Sequence, residues 1–137
     1  MSGRRFARPA SYYLTLFDAA QPTQDETKVE FALDLDEGET LLSLPLAGEA
    51  AQPEALRAAR SILSQLAELD AAARTFLFAR PGWPYGDDAC LWLLIVEGDN
   101  ARLCYHQESV NDEQVVGFRR KGDLWHLIGM DPRWRGK

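Results

Sequence analysis

The residues best suited to chemistry are two cysteines, Cys90 and Cys104, and two histidines, His106 and His126. Cys104 and His106 stand two apart on one apolar segment, and with His126 they would offer sulfur and nitrogen ligands to a metal. Zinc sites usually gather four close ligands. No acidic third ligand shares that segment, so both histidines read as hydrogen-bonding groups at a sheet surface. A cysteine–histidine nucleophile pair is a second option. It needs a polarised, partly exposed thiol. Both cysteines lie in apolar runs, so they read as inert and mostly buried. Ser43, Ser61 and Ser109 lack the Gly-x-Ser-x-Gly setting of a nucleophile elbow.

Carboxylates are plentiful and often adjacent: Asp34 with Asp36, Asp87 with Asp88, Asp112 with Glu113. Two carboxylates do acid–base work only where a cleft moves one pKa away from the other. These pairs sit beside glycine or in polar loops and read as solvated. Asp34, Asp36, Glu37 and Gly38 resemble the start of a calcium loop, but the later ligands of that motif do not follow. No glycine-rich phosphate cradle occurs. No enzyme, metal or cofactor is expected from these residues.

Charge is distributed unevenly. Between Asp18 and Glu54 there are ten carboxylates and one base, Lys28, in a chain whose net charge is −6. Such a block repels phosphate backbones and anionic lipid, and it attracts a basic protein surface. Basic residues collect elsewhere: Arg4, Arg5 and Arg8, then Arg119, Arg120 and Lys121, then Arg133, Arg135 and Lys137. With Trp134 they could touch nucleic acid. A pI near 4.9 argues against it, and the basic ends read as balancing the acidic block. Trp83 and Tyr85 flank Pro84 in a loop leading to Asp87 and Asp88, an arrangement that would anchor an Arg- or Lys-rich partner. The alternative is that Trp83 closes the end of the core.

The 137 residues suit a single domain spanning 1–137, with 1–9 as a loose basic tail. A chain of this size buries roughly two thirds of its unfolded surface. No apolar run is long enough for a membrane span. No apolar stretch follows the basic N-terminus, so cytoplasm is the expected compartment.

The elements that must carry these residues follow from periodicity. Tyr12–Phe17 and Lys28–Leu35 read as strands joined by a long loop. In the second, Val29, Phe31, Leu33 and Leu35 alternate with Lys28, Glu30, Ala32 and Asp34, so the wet face is the acidic one. Leu41–Leu46 is apolar but carries Pro45, which suits a sheet edge. One long helix starts at Pro53 and follows Leu56, Ala59, Ile62, Leu63, Leu66 and Leu69 into Ala73, Phe76 and Leu77. Asp70 either caps a second segment after a bend or lies on the surface. The last third reads as a meander: Ala89–Val96, Ala101–Gln107, Val115–Arg120 and Leu124–Met130, turning at Gly98-Asp99 and Lys121-Gly122-Asp123.

The implied registers set Leu94 opposite Leu103, Cys104 opposite Leu93, Cys90 opposite Gln107, Trp92 opposite Tyr105, Phe118 opposite Trp125 and Val116 opposite Leu127. The two thiols are then out of register for a disulfide, which needs Cα atoms within about 7 Å. The expected fold is α+β: an antiparallel sheet of about six strands in ββ-α-ββββ order, with the helix on one face.

The one-domain size, the excess of Asp and Glu, the lack of a catalytic set and the meander with its two turns resemble the small acidic immunity proteins of bacteria. A resemblance to α+β bacterial domains of uncharacterised function is of the same kind. It covers Leu56–Ile128 and carries no motif. It implies a non-catalytic, antitoxin-like binding protein that occludes the active site of a basic toxin domain. From charge and loop chemistry, the contacts would be Glu30, Asp34, Asp36, Glu37, Trp83, Tyr85, Asp87 and Asp88. The alternatives are a small-molecule or enzymatic pocket between helix and sheet, lined by Trp92, Tyr105, His106 and His126, and a structural subunit of a larger assembly.

Overall fold

The computed structural model describes residues 6, 8–35, 38–47, 50–51, 53–79, 89–107 and 112–130. In chain order the elements are α1 (Ala10–Ala19), β1 (Thr23–Gln24), β2 (Lys28–Leu35), β3 (Gly38–Ala47), β4 (Ala50–Ala51), α2 (Pro53–Ser64), α3 (Leu66–Phe78), β5 (Ala89–Glu97), β6 (Asn100–Gln107), β7 (Asp112–Lys121) and β8 (Leu124–Met130). The fold is α+β. The sheet runs β1-β2-β3-β5-β6-β7-β8, with β4 pairing β3. Neighbouring strands are antiparallel except β3 and β5, which run parallel at Leu41–Ser43 against Leu93–Ile95. This parallel pair joins the N-terminal strands to the meander, and α2 and α3 form the connection between its two strands. Among the described residues no helix is long and apolar enough to cross a membrane.

The first expected strand is a helix. Tyr12–Phe17 lies within α1. Its Tyr, Thr and Phe residues favour strands locally, but Tyr13 and Phe17, four apart, fall on one helical face and are buried. Phe17 meets Phe31 of β2 with ring centroids 4.8 Å apart. Arg60 of α2 donates to the Asp18 carboxylate at the end of α1. Phe6, within the segment expected to be a loose tail, is fully buried and packs edge-on to Tyr13 at 6.2 Å.

The expected long helix is two helices. Gln65 leaves helical geometry with φ −114° and ψ 13°. The Ser64 hydroxyl donates to the Ser61 carbonyl at 2.7 Å, a local bond that competes with the helical ladder. The Gln65 side chain turns to the β7–β8 hairpin: its Nε2 donates to the Asp123 carbonyl at 2.6 Å, and its Oε1 accepts from the Trp125 backbone N–H at 3.4 Å. The indole N–H of Trp125 donates to Ser61 Oγ at 3.1 Å. The break thus lets one side chain tie the helices to the far end of the sheet.

β3 is an interior strand, not an edge. It tolerates Pro45 because N–H groups alternate sides along a strand. Leu46 donates toward β2, at the Thr27 carbonyl, so the Pro45 nitrogen faces the β5 side, beyond the end of that ladder at Ser43. All four meander strands form where expected, and the Leu94–Leu103 and Leu93–Cys104 pairings hold. The last hairpin is displaced by two. Gly122, with φ 63°, and Asp123 make a two-residue turn, so Arg120 rather than Phe118 faces Trp125. A slip of two keeps each side chain on its face. A further shift of one between Gly117 and Phe118 then sets Val116 against Met130, not the expected Leu127.

The three helices contribute to one apolar core with the inward residues of β2, β3 and β5–β8. Inside it lies a charged group. Asp70 and Arg74, 1% and 4% exposed, are one helical turn apart on α3. Arg74 Nε donates to both Asp70 oxygens, at 3.1 and 3.0 Å. Arg74 Nη1 donates to the Ala89 carbonyl at 2.7 Å, and the Tyr105 hydroxyl donates to Asp70 Oδ1 at 2.6 Å. Asp70 is therefore neither a cap nor a surface residue. Removing one partner strands a buried charge. Arg74→Ala is expected to cost about 3–5 kcal/mol. Tyr105→Phe, which loses one bond to a charged acceptor, should cost about 1.5–3 kcal/mol. Urea unfolding measures both; a loss below about 1 kcal/mol for R74A would show that the cluster does not brace the core.

Candidate functional site

The helices cover one face of the sheet. On the other face, among the described residues, no helix is packed. Period-two alternation sends Lys28, Glu30 and Asp34 of β2 to this open face, along with Leu41, Ser43 and Pro45 of β3. Its centre is a small apolar cluster of Leu93, Cys104 and Val115, with half-buried Leu41, Trp92 and Ile95 around it. Ile128 and Leu124 of β8 are 59% and 60% exposed.

A bulge decides what β5 presents here. The β5–β6 register shifts between Leu91 and Leu93. Leu91, not Trp92, stands opposite Tyr105, and Cys90 stands opposite His106 rather than Gln107. Ala89 and Leu91 therefore enter the helical core, while Trp92 and Cys90 face outward. Thr40 Oγ1 donates to the Leu91 carbonyl at 2.9 Å, holding the bulged end of β5 beside β3. The expectation of two mostly buried, inert thiols is corrected in one half: Cys104 is buried and Cys90 is exposed.

Among the described residues, the open face carries two hollows that bear on its chemistry. The first, about 410 Å³, is lined by Ser43, Leu93 and Ile95 and edged by Lys28, Glu30, Glu97 and Arg102. Its charges pair locally. Lys28 Nζ lies 3.2 Å from Glu30 Oε2, and Arg102 Nη1 lies 3.2 Å from Glu97 Oε1. The second, about 330 Å³, is lined by Cys90, Trp92, His106 and Glu113. Among the described residues no group of three or more His, Cys, Asp or Glu is placed to hold a metal ion.

The expected pocket of Trp92, Tyr105, His106 and His126 does not exist as one site. Tyr105 is fully buried on the helical side, bonded to Asp70. Trp92 and His106 belong to the opposite face, and His126 is exposed beside Arg119. The bulge separates Trp92 from Tyr105, and nothing in the residue pattern announces it.

Of the expected contact residues, Glu30 is half-buried and Asp34 exposed, both on the open face. Asp36, Glu37, Trp83, Tyr85, Asp87 and Asp88 lie outside the described residues. Asp34 stands directly opposite Glu39 of β3, also exposed. Like charges in that position destabilise a strand pair. At the entry to β2, Asp25 Oδ1 accepts from the Thr27 and Lys28 backbone N–H groups at 2.7 and 2.9 Å, and from the Thr27 hydroxyl at 3.1 Å. These bonds, the Thr27 backbone first, hold its carboxyl below the ordinary value of 3.8. The turn is therefore fully braced above that value and loosens as pH falls through the lowered one.

Compared with known proteins, the chain matches no family model, no curated protein and no solved structure.

The Asp34–Glu39 juxtaposition gives a direct expectation. Asp34→Asn should stabilise the isolated chain by about 0.2–1 kcal/mol, most at low salt. Urea unfolding at two ionic strengths checks this, and a destabilised variant would mean the two carboxylates do not repel.

Proposed function

We propose that this chain is a non-catalytic protein-binding domain of the immunity type, which neutralises a basic toxin domain by lying over its active site. The observation that carries the reading is the open sheet face. Apolar side chains (Leu41, Trp92, Ile95, Ile128) lie there among charged ones, the composition of a surface that receives a protein. A basic partner follows from charge. The chain carries −6, and the Asp34–Glu39 pair at one side of the sheet is relieved when a cation approaches. Nuclease toxins have the required chemistry, since a groove that holds phosphate is positive. Asp36 and Glu37, which follow Asp34 in sequence, complete the proposed contact set together with Trp83, Tyr85, Asp87 and Asp88.

The test starts with capture from native lysate at low salt and release at high salt. The captured protein must then be purified and assayed. The expected result is a basic protein whose activity falls in one-to-one titration with this chain. A bound protein that stays active at saturation would sink the reading. With the pair in hand, Asp34→Lys should slow association severalfold at low salt. The gap should close near 1 M salt, where the screening length is about 3 Å. Dissociation should change less. Equal association rates for both chains would remove the acidic edge from the interface.

A further inference from the structure

The second hollow has a chemistry that protein binding does not require. Cys90, His106 and Glu113 form a row across three adjacent strands: Cys90 is the cross-strand partner of His106, and His106 is the cross-strand partner of Glu113. Side chains directly opposite one another have Cβ atoms about 4.5–5.5 Å apart, within reach for a thiol and an imidazole. His106 Nδ1 lies 3.9 Å from Glu113 Oε2. That is too long for a hydrogen bond and short enough for an ion pair once the ring is protonated. His106 Nδ1 is buried and makes no hydrogen bond. Nδ1 is thus the nitrogen on the carboxylate side, which leaves Nε2 as the one that can take a proton from the thiol. The same order of nucleophile, base and orienting carboxylate activates cysteines elsewhere. Cys90 is exposed, unlike Cys104, so the thiol nearest the histidine is the one a reagent can reach.

We propose that Cys90, His106 and Glu113 form a reactive-thiol site that exchanges with low-molecular-weight disulfides. The Cys90 proton passes to His106, and Glu113 steadies the resulting imidazolium. The thiolate attacks one sulfur of the small disulfide. A new S–S bond forms to Cys90, the old S–S bond breaks, and the leaving thiolate takes the proton back from His106. The disulfide is the only oxidant the step needs. The hollow of about 330 Å³ receives the adduct. The Trp92 indole N–H is buried and makes no hydrogen bond, and it offers a donor to a carbonyl of a peptide-like thiol. Among the described residues, the titratable groups that line the hollow with the thiol are His106 from β6 and Glu113 from β7; the β3 ladder ends before Cys90, at Leu93.

The probe is oxidised glutathione, with intact mass and peptide mapping as readout and the wild-type chain and C104S compared. The expected product carries one glutathione, on Cys90, in both. Its rate should level off near neutral pH. His106→Gln should slow it about fivefold at pH 6.5, the net of a larger thiolate fraction and a weaker nucleophile, and move the plateau toward the ordinary thiol range near pH 8.5. Glu113 is exposed, so E113Q should keep the fold and give an intermediate profile. The site is overturned if the wild-type rate rises with pH like that of an ordinary thiol, if H106Q and E113Q match wild type throughout, or if the adduct sits on Cys104. The wild-type profile alone decides the matter should H106Q fail to fold. Loss or survival of toxin binding has no bearing on this result.

Discussion

The rest of the molecule is arranged around the buried ion pair of Asp70 and Arg74. A carboxylate and a guanidinium inside an apolar core stay ionised only when they meet each other and enough further partners. Here those partners come from the sheet: the Tyr105 hydroxyl of β6 and the Ala89 carbonyl of β5. The two bonds determine where α3 lies on the sheet and where β5 begins. An all-apolar contact would permit sliding along the groove; directional bonds to a charge do not. The Arg74 guanidinium also lies 5.1 Å from the Tyr105 ring centre, so the same residue is bonded and packed.

The bulge in β5 follows from that anchorage. Ala89 and Leu91 occupy the helical core, whereas Leu93 faces away from it. A regular strand would keep all three on one face, because its side-chain period is two. The extra residue reconciles the two halves of the strand, and Trp92 emerges on the open side. One irregularity therefore fills the core beneath α3 and also sets Cys90 opposite His106. Structural need on one face creates chemical opportunity on the other.

The open face and the thiol row are separate proposals that share a surface. The proposed protein recognition would draw on its breadth and on the carboxylates of β2 and β3. Thiol exchange draws on three side chains near the start of β5. The two halves of the sheet differ to match: β2 and β3 set Asp34 against Glu39, while β7 and β8 place Arg119 beside His126. Such asymmetry orients a charged partner before any contact forms.

By itself the amino-acid order determined the meander, its Gly98 turn, the buried side of Lys28–Leu35 and the apolar stripe of Pro53–Leu77. All of these are local, since period and turn chemistry span only a few neighbouring residues. Asp70 and Arg74 could have been suspected, because their spacing of four falls within the stripe of Leu66, Leu69, Ala73 and Leu77. Tyr12–Phe17 reads as a strand in isolation because its strand-favouring residues outweigh a two-residue helical face, and only packing against Phe31 and α2 makes that face count. Tertiary structure alone decided the break at Gln65, the parallel joining of β3 to β5 and the bulge at Trp92. Each satisfies groups far apart in the chain: Gln65 with Asp123, Thr40 with Leu91, Arg74 with Ala89. No local pattern encodes a partner that distant. The row of Cys90, His106 and Glu113 exists only because those long-range bonds moved one strand by one residue.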